Sequence, residues 1–127
     1  MKIYGVGTDI VKINRIKKSI KSKIFLKRIF SQNEISKCNK VKNSFNCFAK
    51  RFAAKEAFSK ALGTGISKGI NLNEITVQNE KSGKPYIKLL RKTKIVVDKQ
   101  FKRKSYKISL SLSDEENYAV AFVTISI

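Results

Sequence analysis

The sequence predicts a single α+β domain, residues 1–127, in which antiparallel strands pack on one long central helix. The length suits one hydrophobic core and leaves no room for a second folding unit. Alternating apolar residues mark several strands, and a long helical pattern lies between the first strand and the others. Strands and helices in this mixed order are typical of an α+β fold.

The N-terminal half is predicted to contain one strand followed by helices. Residues 2–11 form the strand, which glycines interrupt. Isoleucines at helical spacing across residues 13–24 predict one amphipathic helix with a basic outer face. The Ser-Gln-Asn-Glu segment 31–34 has the pattern of a capping box, which begins another short helix. A longer helix is predicted for residues 44–62, with Gly63 as its C-cap.

The C-terminal half is predicted to be mostly strand. Apolar alternation and polar turns indicate two strand pairs, and the segment between these pairs carries a weak helical signal. The elements are a glycine-containing loop at 63–69, strands at 74–79 and 85–90, a short helix at 92–101, and strands at 106–113 and 118–125.

The chain is strongly basic and contains no histidine. Its 28 Lys+Arg against 9 Asp+Glu give a formal net charge of +19. The absence of histidine excludes Ser-His and Cys-His nucleophilic mechanisms, imidazole acid–base catalysis and most zinc sites. The charge is expected to attract polyanions, although aromatic residues are not interleaved with the lysines as a base-stacking platform requires. Lys, Ile and Asn are enriched together, so codon bias accounts for the lysines equally well.

The cysteines and the chain termini indicate a cytoplasmic protein with no membrane partner. Cys38 and Cys47 fit neither a C-x-x-C redox motif nor a zinc knuckle. A disulfide between them is compatible with their number, but we expect two reduced thiols. Residues 1–11 lack the apolar run of a signal peptide. The longest uncharged stretch, 117–127, is about half of what a bilayer span requires.

Two acidic residues stand out as candidates for chemistry. Glu56 shares the apolar sector of the long helix with Phe48 and Phe52, and Lys60 lies one turn further on. An ordinary Glu-Lys helix pair is the alternative. Asp9 ends a Gly-x-Gly-x-Asp segment, whose glycines allow close approach of a ligand or another element; the alternative role for Asp9 is a helix N-cap. Two carboxylates suit Mg²⁺, because water molecules and phosphate oxygens fill the other coordination positions of this ion.

Four sequence blocks resemble the signatures of bacterial holo-acyl-carrier-protein synthases, the small 4'-phosphopantetheinyl transferases. Residues 5–16, with the Gly-Val-Gly-Thr-Asp-Ile-Val run, resemble the N-terminal signature. Residues 51–66, Arg-Phe-Ala-Ala-Lys-Glu-Ala-Phe-Ser-Lys-Ala-Leu-Gly-Thr-Gly-Ile, are similar to the second almost residue for residue. The Gly-Lys-Pro turn 83–85 and residues 111–119 resemble the third and fourth blocks, although many members carry His in place of Asp114.

The resemblance implies a Mg²⁺-dependent enzyme that supports fatty acid biosynthesis. The phosphopantetheine arm of coenzyme A would move to a serine of apo acyl carrier protein, releasing adenosine 3',5'-bisphosphate. Asp9 and Glu56 would be the metal ligands and, with Lys60, the catalytic residues. Lys60 would neutralise charge on the transferred phosphoryl group, and Glu56 would help to remove the serine proton. The residues implied to bind coenzyme A are Arg51, Lys60, Lys84 and Pro85.

The resemblance also implies protein partners. The acidic carrier protein would dock on the helix after the first strand, through Arg15, Lys18 and Lys21. A homotrimer with active sites at subunit interfaces is expected. The Asp9 and Glu56 of one active site would then belong either to the same chain or to two different chains. The alternative function is a basic RNA- or ribosome-binding module, which needs neither carboxylate; under the enzyme reading no nucleic-acid partner is expected.

Overall fold

A three-stranded antiparallel sheet and a separate β-hairpin surround one long helix, which confirms the predicted α+β class. The computed structural model describes residues 1–63 and 69–127. The predicted loop at 63–69 and the end of the second signature block fall mostly on residues 64–68, outside the described residues. The elements are β1 (Ile3–Lys12), α1 (Ile13–Ser19), α2 (Lys23–Ile29), α3 (Gln32–Lys40), α4 (Ser44–Leu62), a 3₁₀ turn (Leu72–Glu74), β2 (Ile75–Asn79), β3 (Pro85–Leu89), α5 (Arg91–Gln100), β4 (Lys107–Asp114) and β5 (Tyr118–Ser126).

The larger sheet has the strand order β1-β5-β4, with β5 in the centre. Asp9 of β1 lies opposite Ala121 of β5, and Leu112 of β4 lies opposite Ala121 on its other side. Alternate residues of β5 face α4 and are fully buried, namely Ala119, Ala121, Val123 and Ile125. These small and β-branched side chains pack the central strand closely against the helix.

Two glycines bring β1 into backbone contact with α4. A Cβ atom at Gly5 would overlap the carbonyl oxygen of Ala61, and one at Gly7 would overlap that of Ala57. The glycines of the Gly-x-Gly-x-Asp segment therefore serve the close approach of another element. Since side chains alternate along a strand, Asp9 points to the same side as Gly5 and Gly7, toward α4.

The helix predicted across residues 13–24 is instead two helices, α1 and α2, and that prediction is wrong. Helix α1 ends at Ser19, and the next residue, Ile20, is its C-cap, whose N–H donates to the Ile16 carbonyl. Ser22 then begins α2 as an N-cap, with its hydroxyl accepting from the Phe25 N–H. A serine hydroxyl satisfies the free amides of a new helix start, so the chain turns here. Ile24 is consequently exposed and does not extend the apolar face of α1.

The predicted start of α3 and the predicted end of α4 are confirmed. Ser31 and Glu34 form both hydrogen bonds of the capping box. Helix α4 ends at Gly63, whose φ of +84° is the left-handed conformation that glycine adopts without strain. Among the described residues, no helix is both long and apolar enough to cross a membrane.

The two cysteines form a disulfide between α3 and α4, so the expectation of reduced thiols is wrong for this structure. The Cα atoms of Cys38 and Cys47 are 5.4 Å apart, within the range that a disulfide requires. The prediction rested on the expected cytoplasmic location, where thiols stay reduced, and not on the distance between the two cysteines, which the packing of α3 on α4 sets.

Candidate active site

Asp9 and Lys60 meet where β1 crosses α4. The Lys60 ammonium donates to the Thr8 carbonyl at 2.9 Å and lies 3.4 Å from the Asp9 carboxylate. The Lys60 side chain is 57% exposed and that of Asp9 is 18% exposed. The N-cap position of α1 is Lys12, so the alternative role of Asp9 as a cap is wrong. Lys60 of α4 forms its ion pair with Asp9 of β1, and not with Glu56 of its own helix.

Glu56 lies on α4, half-buried, within the electrostatic reach of Asp9. Burial raises the pKa of the Glu56 carboxyl, and the negative charge of Asp9 raises it further; the charges of Lys60 and Arg15 act in the opposite direction. No ion pair of the described residues includes Glu56. The carboxylates of Asp9 and Glu56 therefore repel each other in a partly buried setting, and the Lys60 ammonium is the cation that acts on both.

This pair of carboxylates fits a divalent cation. Within residues 1–63 and 69–127 there is no cluster of three or more His, Cys, Asp and Glu residues that would enclose a metal by itself. Mg²⁺ is commonly held by one or two carboxylates while water and substrate phosphate oxygens fill the other positions. Asp9 and Glu56 are therefore the described residues best suited to hold such an ion, and one chain provides both.

Arg51 lies on α4 but faces the β2–β3 hairpin. Its Nη2 donates to the Asn79 side-chain oxygen at 3.1 Å, and its Nη1 donates to the Cys47 carbonyl at 3.3 Å. Burial lowers the pKa of the guanidinium, while the charge of Glu34 raises it. Its Nε is a buried donor with no hydrogen-bond partner in the described structure. A buried guanidinium without a carboxylate ligand of its own is suited to an anionic group nearby.

The turn of the hairpin carries the two other residues predicted to bind coenzyme A. The Asn79 amide donates to the Gly83 carbonyl at 3.0 Å, and Asn79 pairs with Pro85 across the hairpin. Lys84 is exposed and Pro85 is half-buried. Arg51 is thus linked through one asparagine to the turn that bears Lys84 and Pro85.

The three residues predicted to bind a carrier protein are exposed, at α1 and the turn that follows it. Lys18 lies on the helix and Lys21 in the turn before α2. Arg15 is closer to the acidic pair than the sequence indicated: its guanidinium carbon lies 5.9 Å from the centre of the Phe52 ring, and its charge acts on Glu56. Arg15 therefore lies at the boundary between the docking helix and the candidate active site.

Asp114, the position that departs from the resemblance, is bound to the first half of α4. Its carboxylate accepts from the Asn46 amide at 2.8 Å and lies 3.4 Å from the Lys50 ammonium. The side chain therefore links the β4–β5 turn to the helix in this chain.

Sequence reasoning missed a buried ion pair on the opposite side of the site. Lys55 precedes Glu56 in the chain, yet its ammonium is fully buried and lies 2.7 Å from the Glu34 carboxylate. The available signal was that small and aromatic residues dominate this part of α4, with Phe52 and Phe58 each three residues from Lys55.

A model of the 4'-phosphopantetheinyl transferase superfamily matches residues 5–123. The chain is 50% identical over 125 residues to the holo-[acyl-carrier-protein] synthase of Pelagibacter ubique, with 98% of each chain covered. It is 46% identical over 131 residues to the protein of that name from Wolbachia pipientis, again with 98% of each covered.

Solved structures give the same result. The holo-[acyl-carrier-protein] synthase from Neisseria meningitidis superposes with a TM-score of 0.88 and 38% identity, covering 98% of this chain and 99% of that one. The Bacillus anthracis protein, solved in complex with CoA (3',5'-ADP), has a TM-score of 0.80 and 34% identity, covering 99% and 98%. The Helicobacter pylori protein, in complex with coenzyme A, has a TM-score of 0.77 and 33% identity, covering 95% and 99%.

Proposed function

We propose, from the premise that this chain belongs to the 4'-phosphopantetheinyl transferase superfamily and is an enzyme of the holo-[acyl-carrier-protein] synthase type, that it transfers phosphopantetheine to acyl carrier protein with the help of Mg²⁺. The serine oxygen of the carrier protein bonds to the phosphorus that bears pantetheine. The bond from that phosphorus to the bridging oxygen breaks, and adenosine 3',5'-bisphosphate leaves. The observation that supports this most directly is the approach of Asp9 and Glu56 beside Lys60.

The residues of the candidate site suit phosphoryl transfer, which asks a protein mainly for positioning and neutralisation of charge. Asp9 and Glu56 would hold Mg²⁺, which neutralises charge on the pyrophosphate when bound. Lys60 is exposed enough to turn its ammonium toward a phosphoryl oxygen. Glu56, directly or through a metal-bound water, would help to remove the serine proton. This mechanism needs no histidine, and the nucleophile belongs to the partner.

Coenzyme A would lie between the acidic pair and the hairpin. The exposed Lys84 and the guanidinium charge of Arg51, which is bonded to Asn79 of the hairpin, would attract phosphate groups. Pro85 would pack against the ligand at the start of β3. The relatives solved with coenzyme A support this class of ligand for the present chain.

The outer face of the larger sheet supports a homotrimer. Val6, Ile10 and Phe122 are 53%, 64% and 44% exposed on adjacent strands. Such an apolar group is costly to leave in water and is typical of a subunit interface. A neighbouring subunit seated there would complete the active site, to which a single protomer would contribute both Asp9 and Glu56.

The carrier protein would approach α1. Arg15, Lys18 and Lys21 present positive charge to an acidic partner, which accelerates association more than it increases affinity. We place the reaction in the cytoplasm, in support of fatty acid biosynthesis, within the single domain 1–127. The alternative of an RNA- or ribosome-binding module has no support in the relatives.

Mass spectrometry of apo carrier protein tests the proposal. The carrier protein is incubated with coenzyme A and this enzyme, with Mg²⁺ or with a chelator. We expect the phosphopantetheine mass to be added only with the metal. No mass gain under either condition would contradict the transferase activity, and an equal gain under both would contradict the role of the metal.

A further inference from the structure

The buried Glu34–Lys55 ion pair connects three elements and does not face the acidic pair. We propose that Glu34 and Lys55 are positioning residues, which fix the β2–β3 hairpin against α4 and thereby place Lys84 and Pro85 for coenzyme A. This inference rests on the proposed function, because that function supplies coenzyme A as the ligand of the hairpin.

Lys55 holds the segment where the hairpin begins. Besides Glu34, its ammonium donates to the backbone carbonyls of Leu72, at 3.0 Å, and Ile75, at 2.5 Å. An ammonium has three N–H donors, and all three are used here on named acceptors. Leu72 and Ile75 lie at the start of the 3₁₀ turn and of β2. The cation of α4 is therefore bonded to the base of the hairpin by directional contacts.

Glu34 binds the same edge of β2, two residues further along the strand. One of its oxygens accepts from the Ser31 N–H as well as from Lys55, and the other accepts from the Val77 N–H at 2.9 Å. The Ser31 hydroxyl also lies 2.9 Å from the Thr76 hydroxyl. The two residues of the capping box, Ser31 and Glu34, thus bond the start of α3 to the middle of β2.

The position of the hairpin turn depends on these bonds. Val77 lies opposite Ile87 in β3, and Asn79, two residues further, lies opposite Pro85. A movement of β2 relative to α4 would carry Pro85 and Lys84 with it. Arg51 fixes the end of the hairpin next to the turn, through Asn79. Glu34 and Lys55 fix the opposite end of β2, away from the turn that would bind the ligand.

A purely stabilising pair would behave differently from a positioning pair when both charges are removed together. Breaking one half leaves an uncompensated buried charge, whereas replacing both by apolar residues of similar size is often neutral or stabilising. The hydrogen bonds to the backbone of β2 cannot be replaced in this way, since apolar side chains have no donors or acceptors. The double replacement therefore leaves no uncompensated charge but removes the bonds to the backbone of β2, so its effect on the hairpin is measured as KM for coenzyme A at a temperature well below its Tm.

The test is the steady-state kinetics of Glu34→Leu/Lys55→Met. We expect KM for coenzyme A to rise roughly tenfold, as a small misplacement of a binding group predicts. The kcat at saturating coenzyme A and KM for carrier protein should stay near those of the unmodified enzyme. Lys94→Gln/Asp98→Asn is the control, because it removes an ion pair within α5 whose further polar partner is Tyr106 and which is bonded to neither α4 nor the hairpin turn; it should leave all three parameters unchanged.

A second variant decides the matter if the double variant does not fold. Glu34→Gln/Lys55→Gln leaves no uncompensated charge and keeps part of the hydrogen bonding to β2, so we expect a folded enzyme whose KM for coenzyme A rises roughly threefold at unchanged kcat. An unchanged KM for coenzyme A in a folded variant would overturn the inference. So would equal losses in every parameter together with a lower Tm, which indicate general destabilisation. An unmodified enzyme that fails to transfer would instead refute the proposed function itself.

Discussion

Gly7 lies directly against the carbonyl group of Ala57, the residue that follows Glu56 on α4. This contact brings the strand that bears Asp9 next to the helix that bears Glu56. Gly7→Ala should destabilise the protein by about 1–3 kcal/mol, because the added methyl group overlaps backbone that cannot move independently. It should also lower turnover at least roughly tenfold, since it separates the two carboxylates.

Val97→Ala is a suitable control for Gly7→Ala. Val97 is fully buried on α5, and its truncation costs stability through a cavity. Thermal unfolding and turnover measured on both variants should show comparable losses of Tm but loss of turnover only for Gly7→Ala. Equal turnover in the two variants would contradict the role of the glycine contact in the site.

Asp9→Asn and Glu56→Gln should each abolish Mg²⁺-dependent transfer, with a loss of roughly a hundredfold or more in kcat. Each substitution removes a negative ligand while keeping the shape of the side chain. Addition of Mg²⁺ together with coenzyme A should raise the Tm of the unmodified enzyme more than that of either variant. Glu116→Gln, on an exposed turn, is the matched control. Turnover near that of the control would remove the residue concerned from the metal site.

Lys60→Ala and Lys84→Ala should affect different kinetic constants. The Lys60 ammonium lies beside the acidic pair, so its loss should lower kcat more than it raises KM for coenzyme A. Lys84 lies on the hairpin turn, so its loss should raise that KM with a smaller effect on kcat. Initial rates over a range of coenzyme A concentrations distinguish the two. The same pattern of change in both variants would contradict the separate roles.

Arg15→Glu should raise KM for carrier protein at low salt, and added salt should reduce the difference. Because Arg15 packs on Phe52 and its charge acts on Glu56, this variant should also lower kcat, whereas Lys18→Glu should change KM alone. An unchanged KM for carrier protein in both variants would exclude α1 from the interface.

Glu74 gives the fold a defined dependence on pH. Burial raises the pKa of its carboxyl, but hydrogen bonds from Asn71 and Thr93 and the charge of Arg91 outweigh burial, so the pKa is lowered overall. A lowered pKa in the folded state means that the stabilisation is complete above the unfolded pKa and is lost as the pH falls through the folded one. Glu74→Gln should cost about 1–3 kcal/mol at pH 7.

Urea unfolding at pH 7 and in acid checks the sign of this effect. The difference between Glu74→Gln and the unmodified protein should narrow as the pH falls, because the carboxyl of the latter then becomes neutral too. A difference that grew in acid would contradict the lowered pKa.

The parts of the fold that follow from local signals could be predicted from the sequence. Gly63 ends α4 because a left-handed residue is needed there, and Ser31 begins α3 because its hydroxyl caps the helix. Asp9 and Glu56 could be chosen as a pair because carboxylates in apolar or glycine-rich settings are uncommon. The start of α2 at Ser22 was missed, since isoleucine periodicity continues across the break.

The parts that depend on packing could not be predicted. The disulfide between Cys38 and Cys47 and the place of Arg15 beside Glu56 depend on how α1 and α3 lie on α4. The direction of Lys55 depends on Glu34, which is distant in the chain and whose capping role was the only one that its spacing indicated. Side-chain pairing across elements has no local signature in a single sequence.

The pairing of Asp9 with Ala121 has a consequence for the tolerance of this protein to insertions. A shift of β1 by one residue along β5 would send the carboxylate to the opposite surface and leave Thr8 or Ile10 facing α4. A single added residue between Gly7 and Asp9 would therefore disable the enzyme even though every acidic side chain was still present.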